Sequence, residues 1–457
     1  MLAAEPQGRA GTEAGIEESA GRRSAHSRFI PPPRSRAGPG VAASRRTRVA
    51  SVIVGPCTIF TGGAEPRVIE DGAVRIEGAH IAQVGSAGFL AAAFPGDTLW
   101  PARGRVLMPG LVNTHVHLAH HLARGLSLHT AREWRRYERA LSAEDVSWAV
   151  TAALVEGVRH GVTTVCDFHR SGSLIDLSLS EVVSSAARVG TRVATCYGAS
   201  DIDTPLERRA AFEESLSFER ALARGRPGRL RGLVGAQAST IGGVTTMLDE
   251  ATEAAGNRLA VHMDLALDLT PAERWPRAQA WRAAPLPALW AHAETAPHDL
   301  LAAVHERGDA LSAVGATAAA SLVREATLAW GSDSAVNAPP LFDSQHASGR
   351  GAHTELHYQR LFVHGARWAA RHFGEELGVI APGAPADLVL VDYRPATEFS
   401  ARTLHHHLWS GLLRAPVAGV MIAGDLVMDG GTLVTVDETE VAARARECAG
   451  RLWQRLG

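Results

Sequence analysis

Several things are scarce or absent in this chain, and each absence narrows what the protein can be. No apolar stretch is both long enough and free enough of charge to cross a bilayer as a helix. There is no basic excess: 46 Lys and Arg stand against 48 Asp and Glu, a formal net charge of −2, so neither nucleic acid nor an anionic membrane is indicated as a partner. Cysteine is down to four residues, Cys57, Cys166, Cys196 and Cys448, widely spaced and forming no C-x-x-C pair. That argues against a disulfide framework and fits structural thiols in a reducing cytoplasm. No apolar h-region follows the pair Arg22-Arg23, so twin-arginine export is not expected.

What is present is an ordinary globular composition, 46% hydrophobic and 21% charged, in 457 residues. That is enough for one large domain and a smaller one. Histidine stands out with 21 residues, several of them inside apolar strand-like runs where an imidazole needs a partner. Residues 1–48 are rich in Ala, Gly, Arg, Pro and Ser without apolar periodicity and read as a disordered leader; a start codon placed too far upstream accounts for them. From 49 to 107 short alternating strands such as Ala50–Val54, Ala73–Glu77 and His80–Val84 are split by glycine-containing turns, and the same texture returns over 379–436 in Ala386–Asp392 and Val420–Met428. The two parts are expected to pair as one small β-sandwich-like domain. Between them, over 108–378, apolar strands alternate with helical stretches such as Ser147–Arg159, Leu174–Val189 and Pro205–Ala223. This is the α/β pattern of a (β/α)8 TIM-type barrel. A doubly wound sheet is the alternative, but no glycine-rich phosphate turn follows the first strand. Residues 437–457 read as a C-terminal helix.

The chemistry starts at Met108-Pro-Gly-Leu-Val-Asn-Thr-His-Val-His117. Residues i and i+2 of a strand share a face, so His115 and His117 would both enter the barrel at the C-terminal end of its first strand, where barrel active sites are built. An H-x-H pair alone is equally compatible with two core histidines. Three later residues add to it: His262, His292 and Asp333 each end an apolar strand and so arrive at the same mouth. Three or four N and O ligands with an open position make a hydrolytic metal centre, in which the ion lowers the pKa of a bound water and Asp333 takes its proton.

The run Val106–His117 resembles the first metal-binding strand of the amidohydrolase superfamily, and Gly374–Asp392 resembles that superfamily's return into its small β domain. The resemblance spans about residues 50–435. Within the superfamily the sequence is similar to the aminohydrolase/chlorohydrolase branch, which includes guanine deaminase, and there to the SsnA-type aminohydrolases. Gly161–His169, Ala194–Asp201 and His407 carry that narrower likeness. The resemblance implies that His115, His117, His262 and Asp333 hold one divalent ion, Zn²⁺ first and Fe²⁺ as the alternative, and that His292 contacts the reacting water or intermediate. It also implies hydrolysis of a non-peptide C–N bond in a small, cyclic nitrogen compound, and a homodimer.

The chain departs from that pattern where the family has its acid. The glutamate usual three residues after the strand-five histidine is Leu265 here, a histidine usual in strand four is replaced in Gly235-Ala-Gln-Ala-Ser239, and the H-N-P segment before the last ligand is missing. Asp264 and Glu294, each two residues beyond a site histidine, are the carboxylates expected to stand in, with a pKa raised by burial against apolar walls. The other reading is that each only orients its histidine. His169 and Gln237 are candidate substrate contacts. The competing function is a degenerate homologue that binds metal or ligand with little or no turnover.

Overall fold

The computed structural model describes residues 51–457 except 225–227, 266–285, 293–295, 297, 315–327, 335, 338, 340–354 and 356, with residues 241 and 298–300 described by backbone only. The expected leader, 1–48, lies outside the described residues. Strands β1 (Ser51–Phe60), β2 (Val68–Glu77), β3 (His80–Ser86), β4 (Thr98–Pro101) and β5 (Val106–Pro109) open the described chain. Near its end, β16 (Leu388–Val391) pairs antiparallel with β5, Leu388 opposite Pro109 and Val391 opposite Val106, and brings strands at Val417–Ile422, Asp425–Asp429 and Thr432–Leu433 into the same sheet. Strands from both ends of the described chain thus share one sheet, over a core that includes Ile59, Val74, Leu107, Leu388 and Leu390.

β5 runs through Gly110 into the second sheet. This sheet holds β6 (Leu111–His117), β7 (Val162–His169), β8 (Arg192–Ser200), β9 (Leu230–Gly232), β10 (Val234–Ala238), β11 (Val261–Leu265), β12 (Leu289–Ala291), β13 (Ala310–Val314), β14 (Leu328–Gly331) and β15 (Asp333–Ser334). All its pairings are parallel, in the order β14-β13-β12-β11-β10-β8-β7-β6-β15, with β9 beside β8. Only Ser332 separates β14 from β15, so the ladder returns to its own beginning as a (β/α)8 barrel. The seam is specific. Ser332 N–H donates to the His115 carbonyl (2.9 Å), Thr114 Oγ1 to the Trp330 carbonyl (2.8 Å), and Asn113 Nδ2 to Ser332 Oγ (2.8 Å). Gly331 is required there, because a Cβ would sit 2.3 Å from Ser312 Oγ and 2.9 Å from the His115 Cβ.

The parallel strands are covered on both faces, which is why Leu111–His117 and Val162–His169 are buried throughout and read as near-continuous runs. Outside them, the helix Ala143–Arg159 starts behind Ser142 in a capping box with Asp145. Its Val146, Val150, Leu154 and Val158, at helical spacing, join Val162, Val165 and Val193 in one cluster. Each such buried side chain contributes about 1.5–3 kcal/mol. Helix Pro205–Ala223 coincides with the stretch read from the sequence, capped by Thr204 with proline in its first turn.

Candidate metal centre

Four histidines and two aspartates converge at the C-terminal mouth of the barrel. β6 supplies His115 and His117, and β11 supplies His262 and Asp264, each pair two residues apart and so on one face. His292 follows the last residue of β12, and Asp333 opens β15; both take left-handed backbone conformations, with φ of 62° and 59°. Such backbone costs about 1–3 kcal/mol for a non-glycine residue and is held where side-chain direction matters.

The donor atoms lie close together. His115 Nδ1 faces His262 Nε2 at 3.0 Å. His117 Nε2 is 3.4 Å from Asp333 Oδ1 and 3.7 Å from Asp264 Oδ2. His115 Nε2 is 3.7 Å from Asp333 Oδ1, and His292 Nε2 is 3.3 Å from Asp264 Oδ1 and 4.0 Å from Asp333 Oδ1. His115 with His117 and Asp264, and His115 with His292 and Asp333, each offer three donor atoms mutually within 4.8 Å; His262 joins through His115. Phe168 forms the apolar floor, its ring centroid 5.2–6.1 Å from those of His115, His117 and His262.

These residues fit a divalent cation. N and O ligands about 2.0–2.2 Å from a tetrahedral ion stand about 3.3–3.6 Å from each other, and the distances here bracket that value, from 3.0 to 4.0 Å. Buried polar atoms are left over as well: His115 Nε2, His117 Nδ1 and His262 Nδ1 make no hydrogen bond among the described residues, a costly arrangement in a site built for nothing. Protons compete little for the nitrogens of His117 and His262. Burial, with the charges of His120 and His115, lowers the pKa of His117 to about 3, and burial holds that of His262 well below the usual imidazole value.

The expectation of a raised pKa for Asp264 is overturned. Burial does push it up, but the hydrogen bond and charge of His292 and the charges of His115 and His117 outweigh burial and hold the carboxyl well below the usual range. Its walls are imidazoles, where the sequence reading assumed apolar ones. Asp333 is likewise held ionised: burial is again opposed by His115, 3.7 Å away, and by the charges of His292 and His117. Gln237, on β10, donates from Nε2 to Asp264 Oδ2 at 2.7 Å and lines the pocket above the site. His169 is not brought there. Phe168 takes the inward position on β7, so alternation turns His169 outward, where Nε2 meets Ser171 Oγ at 2.9 Å and the ring packs against Tyr197. Leu265 likewise faces the outer apolar cluster. Glu294 lies outside the described residues.

The pocket itself is small, about 50 Å³. One wall is built on His120, three residues beyond the H-x-H pair. His120 stacks between His117 and Trp134, with ring centroids 4.5 and 4.4 Å away. Its Nδ1 meets Ser334 Oγ at 2.9 Å and its Nε2 meets Glu138 Oε1 at 3.2 Å. Glu138 in turn accepts from Arg170 Nε at 2.8 Å. Burial would raise the Glu138 pKa, but Arg170 and His120 bring it to about 2. Nothing in the spacing of Trp134 and Glu138 marks them; they sit on helix Ala131–Ala140 and meet His120 only in three dimensions.

Residues 106–272 match the amidohydrolase family model. That stretch is similar to the amidohydrolase family. Two curated deaminases are similar to this chain over nearly its whole described length. A 5-methylthioadenosine/S-adenosylhomocysteine deaminase of Pelotomaculum thermopropionicum is 26% identical over 89% of the chain and all of that protein. A 5'-deoxyadenosine deaminase of Methanosarcina barkeri is 24% identical over 89% of the chain and all of its own length. Among solved structures, an adenosine deaminase from Xanthomonas campestris with bound zinc superposes with a TM-score of 0.68 at 21% identity, covering 88% of this chain and 98% of that one. The zinc complex of an atrazine chlorohydrolase from Arthrobacter aurescens gives 0.69 at 18%, covering 87% and 100%. The barrel read from the sequence is thus the fold of solved amidohydrolases, and the metal-dependent C–N hydrolase reading agrees with what the relatives are named for. The narrower likeness to SsnA-type aminohydrolases rests on the segments quoted above.

Proposed function

We propose that this protein is an aminohydrolase that releases ammonia from an amino-substituted purine or related heterocycle, with a single zinc ion held by His115, His117, His262 and Asp333. The observation that carries the reading is the convergence of those four residues with His292 and Asp264 at the barrel mouth. A divalent cation bound there supplies Lewis acidity and an acidified water at neutral pH. The chain's own residues do the rest. Asp333, ionised and reaching three imidazoles, accepts a proton as water attacks the ring carbon bearing the amino group. His292 Nε2 stands 3.3 Å from Asp264 Oδ1, and with leucine at 265 this pair is the unit that delivers a proton to the departing amine. Gln237 fixes the Asp264 carboxylate in that orientation. The Phe168 floor and the stacked Trp134–His120 wall keep water out and offer flat surfaces to a planar ring.

The names of the relatives support an adenosine-like substrate, so the test is ammonia release from 5'-deoxyadenosine, 5-methylthioadenosine and adenosine by protein of measured metal content. Turnover that depends on the metal is the expected result. Stoichiometric metal with no ammonia from any of the three would overturn the reading and leave a metal-binding protein without this activity.

A further inference from the structure

The far end of the barrel holds a second pocket. It is lined where strands begin, at Arg231 and Gly232 of β9, Leu259 and Ala260 before β11, and Leu286 and Pro287 before β12, and by Trp368, Arg371 and His372 from the helix Gly365–Phe373. The strands run parallel, so this end is opposite the mouth that carries the metal centre. The pocket has a volume of about 310 Å³, at the lower end of the range of small-molecule sites.

Its charge is one-sided. Arg231, Arg258 and Arg371 line it. Arg231 donates to the carbonyls of Leu230 (2.8 Å) and Phe373 (2.5 Å), and Arg371 to that of Gly308 (3.1 Å). None of the three guanidiniums has a carboxylate at ion-pairing distance among the described residues. The lining carboxylate, Glu219, is committed to the Gly232 N–H at 3.1 Å. His372, stacked on Trp368 at 5.0 Å, adds a buried Nε2 with no hydrogen-bond partner. The sequence contains no lysine, so its surface cations are all arginines. Elsewhere in the described chain many of them are paired with carboxylates, as Arg135, Arg170, Arg192 and Arg208 are. Planar guanidiniums with free N–H groups match phosphate oxygens two at a time, and Leu259, Leu286 and Trp368 give the same pocket an apolar side.

We infer that this pocket is a second binding site, separate from the metal centre, for a small phosphate-bearing ligand held by Arg231, Arg258 and Arg371. Arg258 and Arg371 are exposed and Arg231 is half-buried.

Isothermal titration of the full chain with inorganic pyrophosphate and with UDP tests this. Both probes are expected to bind, more weakly as sodium chloride is raised. The double variant Arg258→Ala/Arg371→Ala is expected to weaken both by about tenfold or more, the loss of two charged hydrogen-bonding partners. The charge reversal Arg258→Glu is expected to weaken them further. UDP binding more tightly than pyrophosphate assigns the ligand to a nucleoside phosphate using the apolar side, and equal affinity assigns it to inorganic phosphate. No binding of either probe at about 5 mM, a level that detects affinities of a few kcal/mol, overturns the inference, as does unchanged affinity in both variants.

Discussion

Replacing Asp167 with asparagine should make the protein more stable at alkaline pH and leave it nearly unchanged in acid. The Asp167 carboxyl is fully buried; Oδ1 accepts the Leu118 N–H at 3.0 Å and Oδ2 the Thr195 hydroxyl at 2.8 Å, tying the residue after His117 to β7 and β8. Burial lifts its pKa from the ordinary 3.8 to about 7, against the lowering effect of those two hydrogen bonds. The folded chain therefore holds this proton more tightly than the unfolded chain. Its stabilising contribution is fully present below the unfolded value, declines as pH rises, and is gone above about 7. At about 1.4 kcal/mol per pH unit the whole rise corresponds to about 4 kcal/mol, of which about 2–3 kcal/mol falls between pH 5 and 8. Asparagine keeps the acceptor for Leu118 and can donate to the Thr195 oxygen, and it does not ionise. Urea denaturation of both proteins, followed by circular dichroism at pH 5, 6, 7 and 8, reads the difference directly, because all other groups titrate alike in the two. The variant should gain on the wild type by about 2–3 kcal/mol across that range. A stability difference constant to within about 0.5 kcal/mol from pH 5 to 8 would refute the raised pKa, whatever its sign.

The other predictions concern the centre and its wall. His115→Ala should weaken metal affinity by about 10²- to 10³-fold, one share of the roughly 10–16 kcal/mol that four ligands supply; elemental analysis showing full occupancy after dialysis would remove His115 from the ligand set. Asp333→Asn should retain metal while losing turnover, since the amide oxygen can still coordinate but the side chain cannot take a proton; turnover within about threefold of wild type would assign proton acceptance elsewhere. Glu138→Ala strips Arg170 and His120 of a shared buried partner and should cost about 3 kcal/mol in denaturation. A loss below about 1 kcal/mol would mean that Asp203 alone satisfies Arg170.

The barrel and most of the centre were legible in the sequence for one physical reason. Parallel strands deliver their C-terminal residues to a common mouth, so His115, His117, His262, His292 and Asp333 could be grouped from strand ends alone. Asp264 followed from the i+2 rule, yet its protonation state did not, because that depends on which side chains face it across the ring. His169 was misplaced by parity: it was read as a substrate contact, but Phe168 occupies the interior position of β7 and His169 turns to Ser171 and Tyr197. β13 went unnoticed because Ala310–Val314 is a short buried run without alternation, although Gly308 and Gly315 flank it. Glu138, Arg170 and Trp134 were invisible because their meaning lies in contacts with His120 that no local pattern encodes.

The seam at Ser332 has a consequence for how the protein ages and turns over. Asp333 reaches the other donors only when the last strand has docked against β6, so circular closure and assembly of the centre are a single event. A cation held there rivets the ring shut by mass action. Stripped of it, the barrel would give way first along Asn113, Thr114 and Ser332, making a chelator-treated sample most vulnerable to proteases on either side of that join.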